Sequence, residues 1–219
     1  MRVLGILASV LFLALTGALV FGCAGRWDLP MVWAYLGIWA VVGLVTPLVM
    51  DPSLIKERLW PGPGGRDDAL TIAFVPLWLG QYIVAGLDVG RFHWSDTVPP
   101  ALQVVGLLAT AAGLAVTIWA SAVNPFFSSV IRIQTDRGHH VITSGPYRFV
   151  RHPAYAGAPL LFVGSGLALG SWLAALIGLV MVLLLLRRTG QEDRILREQL
   201  EGYAAYAERV RYRLFPGVW

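Results

Sequence analysis

Long apolar runs alternate along this chain with short charged stretches. A helix needs about 20 apolar residues to cross the hydrocarbon core of a bilayer, so a run of that length predicts a membrane-spanning segment. Charge-free runs cover residues 3–25, 29–50, 69–87, 97–131 and 153–186. The first four predict one helix each, over about 3–24, 30–50, 69–87 and 99–123.

The last run is too long for a single span. As one helix, residues 153–186 would measure about 50 Å, whereas the hydrocarbon core is about 30 Å thick. Gly170-Ser171 stands at the middle of the run. The sequence therefore predicts a tight hairpin of two short helices there.

The distribution of positive charge supports the hairpin. With it, fifteen of the 17 Lys and Arg residues fall on one side of the membrane, and only Arg26 and Arg91 fall on the other. Without it, the split is eight against nine. The positive-inside rule favours the hairpin and predicts that both termini are cytosolic.

The tail after the hairpin has helical periodicity. Its apolar positions recur at spacings of three and four residues, which is typical of an amphipathic helix. These positions are Leu196, Leu200, Tyr203, Ala207, Val210 and Leu214. The predicted fold is thus an all-α polytopic membrane protein with about six transmembrane segments and a cytosolic C-terminal amphipathic helix.

Composition narrows the class of protein. The chain has 219 residues, of which 57% are hydrophobic and 14% are charged, whereas soluble domains carry about 25% charged residues. This composition excludes a soluble globular protein and a disordered chain. A nucleic-acid binder is also excluded, because the positive residues stand beside apolar segments. The lone Cys23 gives no disulfide framework. The first run is too long, and Phe21 too bulky, for a cleaved signal peptide; the pattern favours a bacterial-type inner-membrane protein.

Polar and aromatic residues concentrate in the segment 138–157. Three of the four histidines, His139, His140 and His152, lie there. A zinc site is one use for them, but the spacing matches no H-x-x-x-H or C-x-x-C pattern, so no metal site is predicted. Further on, Arg188 and Glu192 are four residues apart and share a helix face, either as surface support or as part of a site.

The pattern resembles the signature of the isoprenylcysteine carboxyl methyltransferase family, a group that also includes phospholipid N-methyltransferases. The resemblance covers about 120–216 and divides the chain into 1–123, a transmembrane scaffold with lipid access, and 124–219, a catalytic half. It rests on the run His139-x-Val141-Ile142-Thr143-x-Gly145-Pro146-Tyr147-x-x-x-Arg151-His152-Pro153-x-Tyr155-x-Gly157, followed by Arg187, Glu192-Asp193-x-x-Leu196 and Tyr203-x-x-Tyr206.

The resemblance implies an integral membrane enzyme that transfers a methyl group from S-adenosylmethionine to a lipid-linked or prenylated acceptor at the cytosolic face. Arg151, Arg187 and Glu192 are its candidate catalytic residues. The implied cofactor-binding residues are Gln134, His139, Val141, Gly145, Tyr147, His152, Pro153, Tyr155, Gly157 and Glu192. The family usually has paired Glu where this chain has Glu192-Asp193, a departure that bears on the acceptor.

The residue types slightly favour a carboxylate or thiol acceptor, and a carboxylate is the one we expect. A carboxylate is already a nucleophile at neutral pH and needs only an arginine to position it, whereas an amine needs a base. Two other functions remain open at this point. One is an NADPH-dependent membrane reductase of the sterol-reductase type, and the other is a non-enzymatic transporter or assembly factor. The first four segments contain no midplane charge, which disfavours a transporter.

Overall fold

The structure, a computed structural model, describes residues 1–65 and 69–219, with the side chains of 69–71 excepted. Arg66, counted above on the cytosolic side, lies outside the described residues. In the described part the regular structure is helical and there is no β-strand. The α-helices are α1 (Arg2–Ala24), α2 (Pro30–Val49), α3 (Pro52–Leu59), α4 (Ala69–Leu87), α5 (Pro100–Val123), α6 (Pro153–Ala156), α7 (Ala158–Ala168), α8 (Trp172–Gln199) and α9 (Tyr203–Arg209).

The all-α membrane fold is confirmed. Five of the described helices are long and apolar enough to cross a membrane, namely α1, α2, the α4 segment Ile72–Phe92, α5 and α8. Proline occupies the first turn of α2, α3, α5 and α6, where its missing N–H costs no helical hydrogen bond. The segment Asp88–Phe92 extends α4 as a π-helical turn that the sequence did not predict.

The hairpin lies where the glycine predicted it. Gly170 has a φ of +84°, and Ser171 caps α8 by accepting a hydrogen bond at Oγ from the Ala174 N–H, 3.1 Å away. The first arm is short, since α6 and α7 together span 153–168 with a break at Gly157, about 24 Å of helix. The second arm, α8, has 28 residues and continues well past the apolar run.

The tail differs from the single helix predicted after residue 187. Residues 187–199 are the end of α8, the chain then turns at Gly202 (φ +79°), and α9 has only seven residues. Leu200, Tyr203, Tyr206 and Ala207 still share one buried cluster. The turn at Gly202 reverses the chain but keeps the apolar face of α9 in this cluster. The apolar periodicity therefore came from two helices that contribute to the same cluster.

Two contacts position the loop between α5 and α6. A Cβ on Gly113 of α5 would lie 2.6 Å from the Gly157 carbonyl oxygen, so the glycines allow α5 to touch the start of the hairpin. On the other side, Arg132 of the loop donates two hydrogen bonds of 2.7 Å to the Glu57 carboxylate of α3. Both side chains are at most 4% exposed. The loop is thus held between a membrane helix and α3.

Candidate active site

A cavity lies between the α5–α6 loop, α6, the end of α8 and α9. The space between its walls and its open mouth is about 760 Å³. Arg151 and six of the residues predicted to bind the cofactor contribute to its lining: His139, Val141, Tyr147, His152, Tyr155 and Glu192.

Tyr155 and Glu192 join the two sides of the cavity. The Tyr155 hydroxyl donates a hydrogen bond to Glu192 Oε2 at 2.7 Å. A phenol is protonated at neutral pH, so Tyr155 is the donor of this pair. Arg188, one turn before Glu192, interacts with Tyr155 and donates to the Ser129 carbonyl oxygen at 2.7 Å. One helix face of α8 therefore presents an arginine and a carboxylate to the same tyrosine.

His152 connects the cavity to a buried charge cluster. Its ring is parallel to Tyr155, with centroids 5.8 Å apart, and its Nε2 lies 3.4 Å from both Asp193 Oδ1 and the Tyr203 hydroxyl. The ring thus presents its face to the cavity side chain Tyr155 and its edge to Asp193.

His139 is a neutral side chain in the opposite wall. It stacks on Phe126 with ring centroids 4.6 Å apart, and its Nδ1 accepts a hydrogen bond from the Gln134 N–H at 3.2 Å. Burial, together with the positive charges of His140, Arg132 and Arg137, lowers the pKa of His139 to about 4. At neutral pH the proton therefore resides on Nε2, which is a donor.

Tyr147 is fixed from two directions. Asn124 Nδ2 donates to its hydroxyl at 3.0 Å, and the Tyr206 hydroxyl donates to its carbonyl oxygen at 2.7 Å. Asn124, which was not predicted as a site residue, is the C-cap of α5. Here it also orients an aromatic ring that lines the cavity.

Asp193 lies at the centre of the buried cluster behind this cavity. Its carboxylate is 1% exposed and accepts hydrogen bonds from Arg151 Nε at 2.7 Å and Nη2 at 3.0 Å. The other side chains around it are Tyr203, Arg197, Arg213 and His152. We call these six residues the Asp193 cluster.

Arg151, predicted as a catalytic residue, contributes to the cavity lining and is also part of the Asp193 cluster. Besides its contact with Asp193, its Nη1 donates at 2.7 Å to the carbonyl oxygens of both Val210 and Arg211. The guanidinium is 2% exposed and ties the α5–α6 loop to the chain after α9. These contacts favour a structural arginine over one that holds an acceptor.

Arg187 also departs from its predicted place. It is exposed and contributes to a surface depression with Arg194, Arg197 and Arg213 rather than to the cavity. Arg188, the next residue, is buried and interacts with Tyr155, which lines the cavity. Its i,i+4 relation to Glu192 was the sequence signal that could have found it.

Four further predicted residues lie outside the lining and support it. Gln134 donates from Nε2 to the Phe126 carbonyl oxygen at 2.6 Å and accepts a hydrogen bond from Arg137. Gly145 has a φ of +57°, a region that favours glycine. Pro153 is the buried first residue of α6, and Gly157 provides the contact with α5.

Comparison with known proteins identifies a family that the second half of the chain resembles. Residues 102–201 match the model of a family described as phospholipid methyltransferase. A probable protein-S-isoprenylcysteine O-methyltransferase of Oryza sativa subsp. indica is 35% identical over 86 residues, 38% of this chain and 45% of the rice protein. The second half of the chain is therefore similar to this family of membrane methyltransferases. The resemblance inferred from residues 139–157 is thereby confirmed.

Two other proteins are similar over more of the chain. The cobalt-zinc-cadmium resistance protein CzcN of Cupriavidus metallidurans is 27% identical over 148 residues, which are 66% of this chain and 64% of that protein. A solved structure of the eukaryotic intramembrane Ras methyltransferase ICMT covers 94% of this chain and 74% of its own, with 18% identity and a TM-score of 0.48. The chain thus spans less than two thirds of CzcN and under half of the rice protein.

Proposed function

We propose that this methyltransferase-family protein transfers a methyl group from S-adenosylmethionine to a lipid-linked or prenylated acceptor, with a carboxylate as the favoured acceptor group. The observation that carries the proposal is the cavity inside the family region, where Tyr155 and Glu192 are joined by a 2.7 Å hydrogen bond. The cavity combines aromatic rings with a single carboxylate opposite a neutral histidine.

The donor and acceptor groups of the cavity suit the cofactor. Aromatic faces such as those of Tyr147 and Tyr155 attract a cationic sulfonium. The Glu192 carboxylate can accept from the ammonium of the cofactor's amino-acid end, and His139 Nε2–H can donate to its carboxylate. Bound there, S-adenosylmethionine would supply a methyl carbon on a positively charged sulfur, which a carboxylate oxygen can attack without a general base.

The side chains of the cavity orient the reactants rather than move protons. His139, with a pKa of about 4, is neutral, and Tyr155 is protonated, so neither adds a charge to compete with the sulfonium. Arg188, beside Tyr155, takes the role first given to Arg151 and Arg187, that of holding the acceptor's anionic group. Alignment of acceptor, methyl carbon and sulfur is the main contribution of such a site.

The placement of the site belongs to the same proposal. The charge count puts the α5–α6 loop and the end of α8 on the positively charged side of the membrane. We infer a cavity that opens to the cytosol at the surface of a bacterial-type inner membrane, with both termini on that side. An acceptor with an apolar chain would then reach it from the bilayer.

The test is cofactor binding by the full chain in mild detergent. S-adenosylhomocysteine should raise the melting temperature, whereas NADPH should leave it unchanged, because only a ligand of the folded state stabilises it. The reverse pattern would support the reductase alternative. Labelled S-adenosylmethionine incubated with membrane lipid extract should yield a labelled lipid product, identified by mass spectrometry.

Glu192→Gln should weaken S-adenosylhomocysteine binding by about tenfold or more, since hydrogen bonds to charged groups contribute about 1.5–3 kcal/mol. Its matched control is Glu198→Gln, which removes an exposed carboxylate from the same helix. Equal affinities in both variants would overturn the assignment of Glu192.

A further inference from the structure

The surface depression that contains Arg187 lies on α8 just after the apolar part of that helix. Four arginines contribute to its lining, namely Arg187, Arg194, Arg197 and Arg213. Arg187 and Arg194 are exposed, and neither makes an ion pair within the part of the chain that the structure describes. Arg197 and Arg213 both donate to one oxygen, Asp193 Oδ2, at 3.2 and 3.0 Å. We call these four arginines the arginine depression.

The arginine depression carries more positive charge than its surroundings neutralise. Among the described residues, Asp193 is the one carboxylate in its lining, and Arg151 already donates two hydrogen bonds to that carboxylate. Glu198, one turn after Arg194, is exposed, does not contribute to the lining and makes no ion pair with Arg194. Guanidinium groups donate paired hydrogen bonds to carboxylates and phosphates, so the depression is complementary to an anion that has several oxygens.

The depression continues an exposed apolar stripe of the same helix. Leu176 and Arg194 are 18 residues apart, which is about five turns, and Leu183 and Arg187 fall close to the line between them. Leu176 and Leu183 are 55% and 56% exposed, as expected for side chains that face lipid. From Leu176 to Arg187 the helix rises about 16 Å, roughly half the thickness of the hydrocarbon core. A phospholipid whose acyl chains cover the leucines would therefore place its headgroup at the arginines.

The segment after α9 brings apolar side chains to the edge of the depression. Arg213 Cζ lies 4.8 Å from the ring centroid of Trp219, and the Arg213 N–H donates to the Trp219 carbonyl oxygen at 2.7 Å. Phe215, Val218 and Trp219 are all exposed. Tryptophan is enriched at the membrane–water interface, where its ring lies at the level of the headgroups. A basic depression bordered by these side chains fits a membrane lipid better than a soluble ligand.

We propose that the arginine depression binds the phosphate headgroup of an anionic phospholipid, whose acyl chains lie along the exposed leucines of α8. This goes beyond the proposed function, because the lipid is a bound ligand and not the methyl acceptor; the depression shares no lining residue with the candidate active site. Only the assignment to the cytosolic leaflet rests on the membrane placement proposed above. A bound phosphate would also offset the repulsion among the arginines around Asp193, so the lipid should stabilise the folded protein.

The binding test is native mass spectrometry of the full chain in neutral detergent. Dioleoylphosphatidylglycerol should bind about tenfold more tightly than dioleoylphosphatidylcholine, because the choline cation repels the arginines and competes with them for the phosphate. The double variant Arg187→Gln/Arg194→Gln should lose most of this preference. Dioleoylphosphatidylglycerol should also raise the melting temperature of the unaltered protein, and the double variant should lose that rise.

The matched control is the double variant Arg209→Gln/Arg211→Gln. Both arginines are exposed and lie outside the lining of the depression, so this variant removes the same number of positive charges elsewhere. It should keep the preference for dioleoylphosphatidylglycerol. Equal loss of the preference in the two double variants would show a general surface-charge effect and overturn the proposal.

Other outcomes are equally decisive. Equal binding of the two lipids by the unaltered protein would overturn the proposal even if Arg187→Gln/Arg194→Gln fails to fold. Displacement of the lipid by millimolar inorganic phosphate or glycerol 3-phosphate would show that the ligand is a soluble phosphate, and tighter binding of an octaglutamate peptide would show an acidic protein segment instead. Absence of S-adenosylhomocysteine binding in the unaltered protein would refute the proposed function while leaving the lipid comparison to judge the depression.

Discussion

Glu192 and Asp193 are adjacent in the chain but belong to two different regions of the molecule. Glu192 lines the candidate active site and has one recorded hydrogen bond, from Tyr155. Asp193 is 1% exposed and is surrounded by Arg151, Arg197 and Arg213 in the Asp193 cluster. Successive residues of a helix point about 100° apart, so one turn of α8 serves both regions.

The comparison distinguishes a carboxylate that can bind a ligand from one that stabilises the fold. A carboxylate whose hydrogen-bonding capacity is filled by the protein has no capacity left for a ligand. Asp193 is in this state, whereas Glu192 retains oxygen lone pairs beside a cavity. The cluster also joins the α5–α6 loop to the chain after α9 through Arg151. Asp193 therefore helps to maintain the shape of the site, although it does not line the cavity.

Removal of the Asp193 charge should have the largest effect. Asp193→Asn leaves buried arginine charge without its counterion, and we expect a loss of about 3–5 kcal/mol in the free energy of unfolding. Denaturant titration in detergent measures it, with Glu198→Gln as the exposed control. A decrease of less than about 1 kcal/mol in the free energy of unfolding would show that the Asp193 cluster does not stabilise the fold.

Mild acid should have a smaller effect, through His139. Its folded pKa of about 4 lies below the unfolded value of about 6.5, so the unfolded chain binds more protons between these values and stability falls as pH falls. Between pH 6.5 and pH 5 this single group should lower the free energy of unfolding by about 1.5 kcal/mol. His139→Gln should remove that part of the pH dependence.

The matched variant for the acid experiment is His140→Gln, because His140 is exposed next to His139. It should keep the pH slope of the unaltered protein. A steep slope that survives His139→Gln would mean that the neutral side of the cavity is not maintained by burial of this histidine.

The smallest effect should come from Arg187. It is exposed on the cluster side of α8, so Arg187→Gln should change stability by less than about 0.5 kcal/mol and leave S-adenosylhomocysteine affinity unaltered. Arg188→Gln, one residue on, should weaken that affinity severalfold because Arg188 interacts with Tyr155. Titration calorimetry on both variants would reverse the assignment if Arg187 proved the sensitive one.

Much of the fold followed from short-range patterns. Charge-free runs predicted α1, α2, α4 and α5 to within a few residues, and Gly170-Ser171 predicted the hairpin, because span length and turn chemistry are local properties. The short helix α3 and the turn at Gly202 were missed, since neither changes the apolar pattern. The apolar spacing of the tail continues from α8 into α9, so it does not reveal the turn between them.

The sequence predicted which residues line the candidate site better than it predicted how they are arranged. His139, Tyr147, His152, Tyr155 and Glu192 do converge on one cavity. The arginines were harder to assign, because an arginine beside a membrane has the same local signature whether it is exposed, as Arg187 is, or buried against a carboxylate, as Arg151 is. Only the facing element distinguishes these two cases.

The sequence by itself determined that this is a helical membrane protein and, through residues 139–157, which family its second half resembles. Hydrophobic length and a dense local motif need no partner from elsewhere in the chain. Only the tertiary structure decided that the Asp193 carboxylate is surrounded by protein donors and that Glu192 lies beside a cavity. Those facts depend on side chains brought together from distant segments, and burial and charge pairing exist only after that packing.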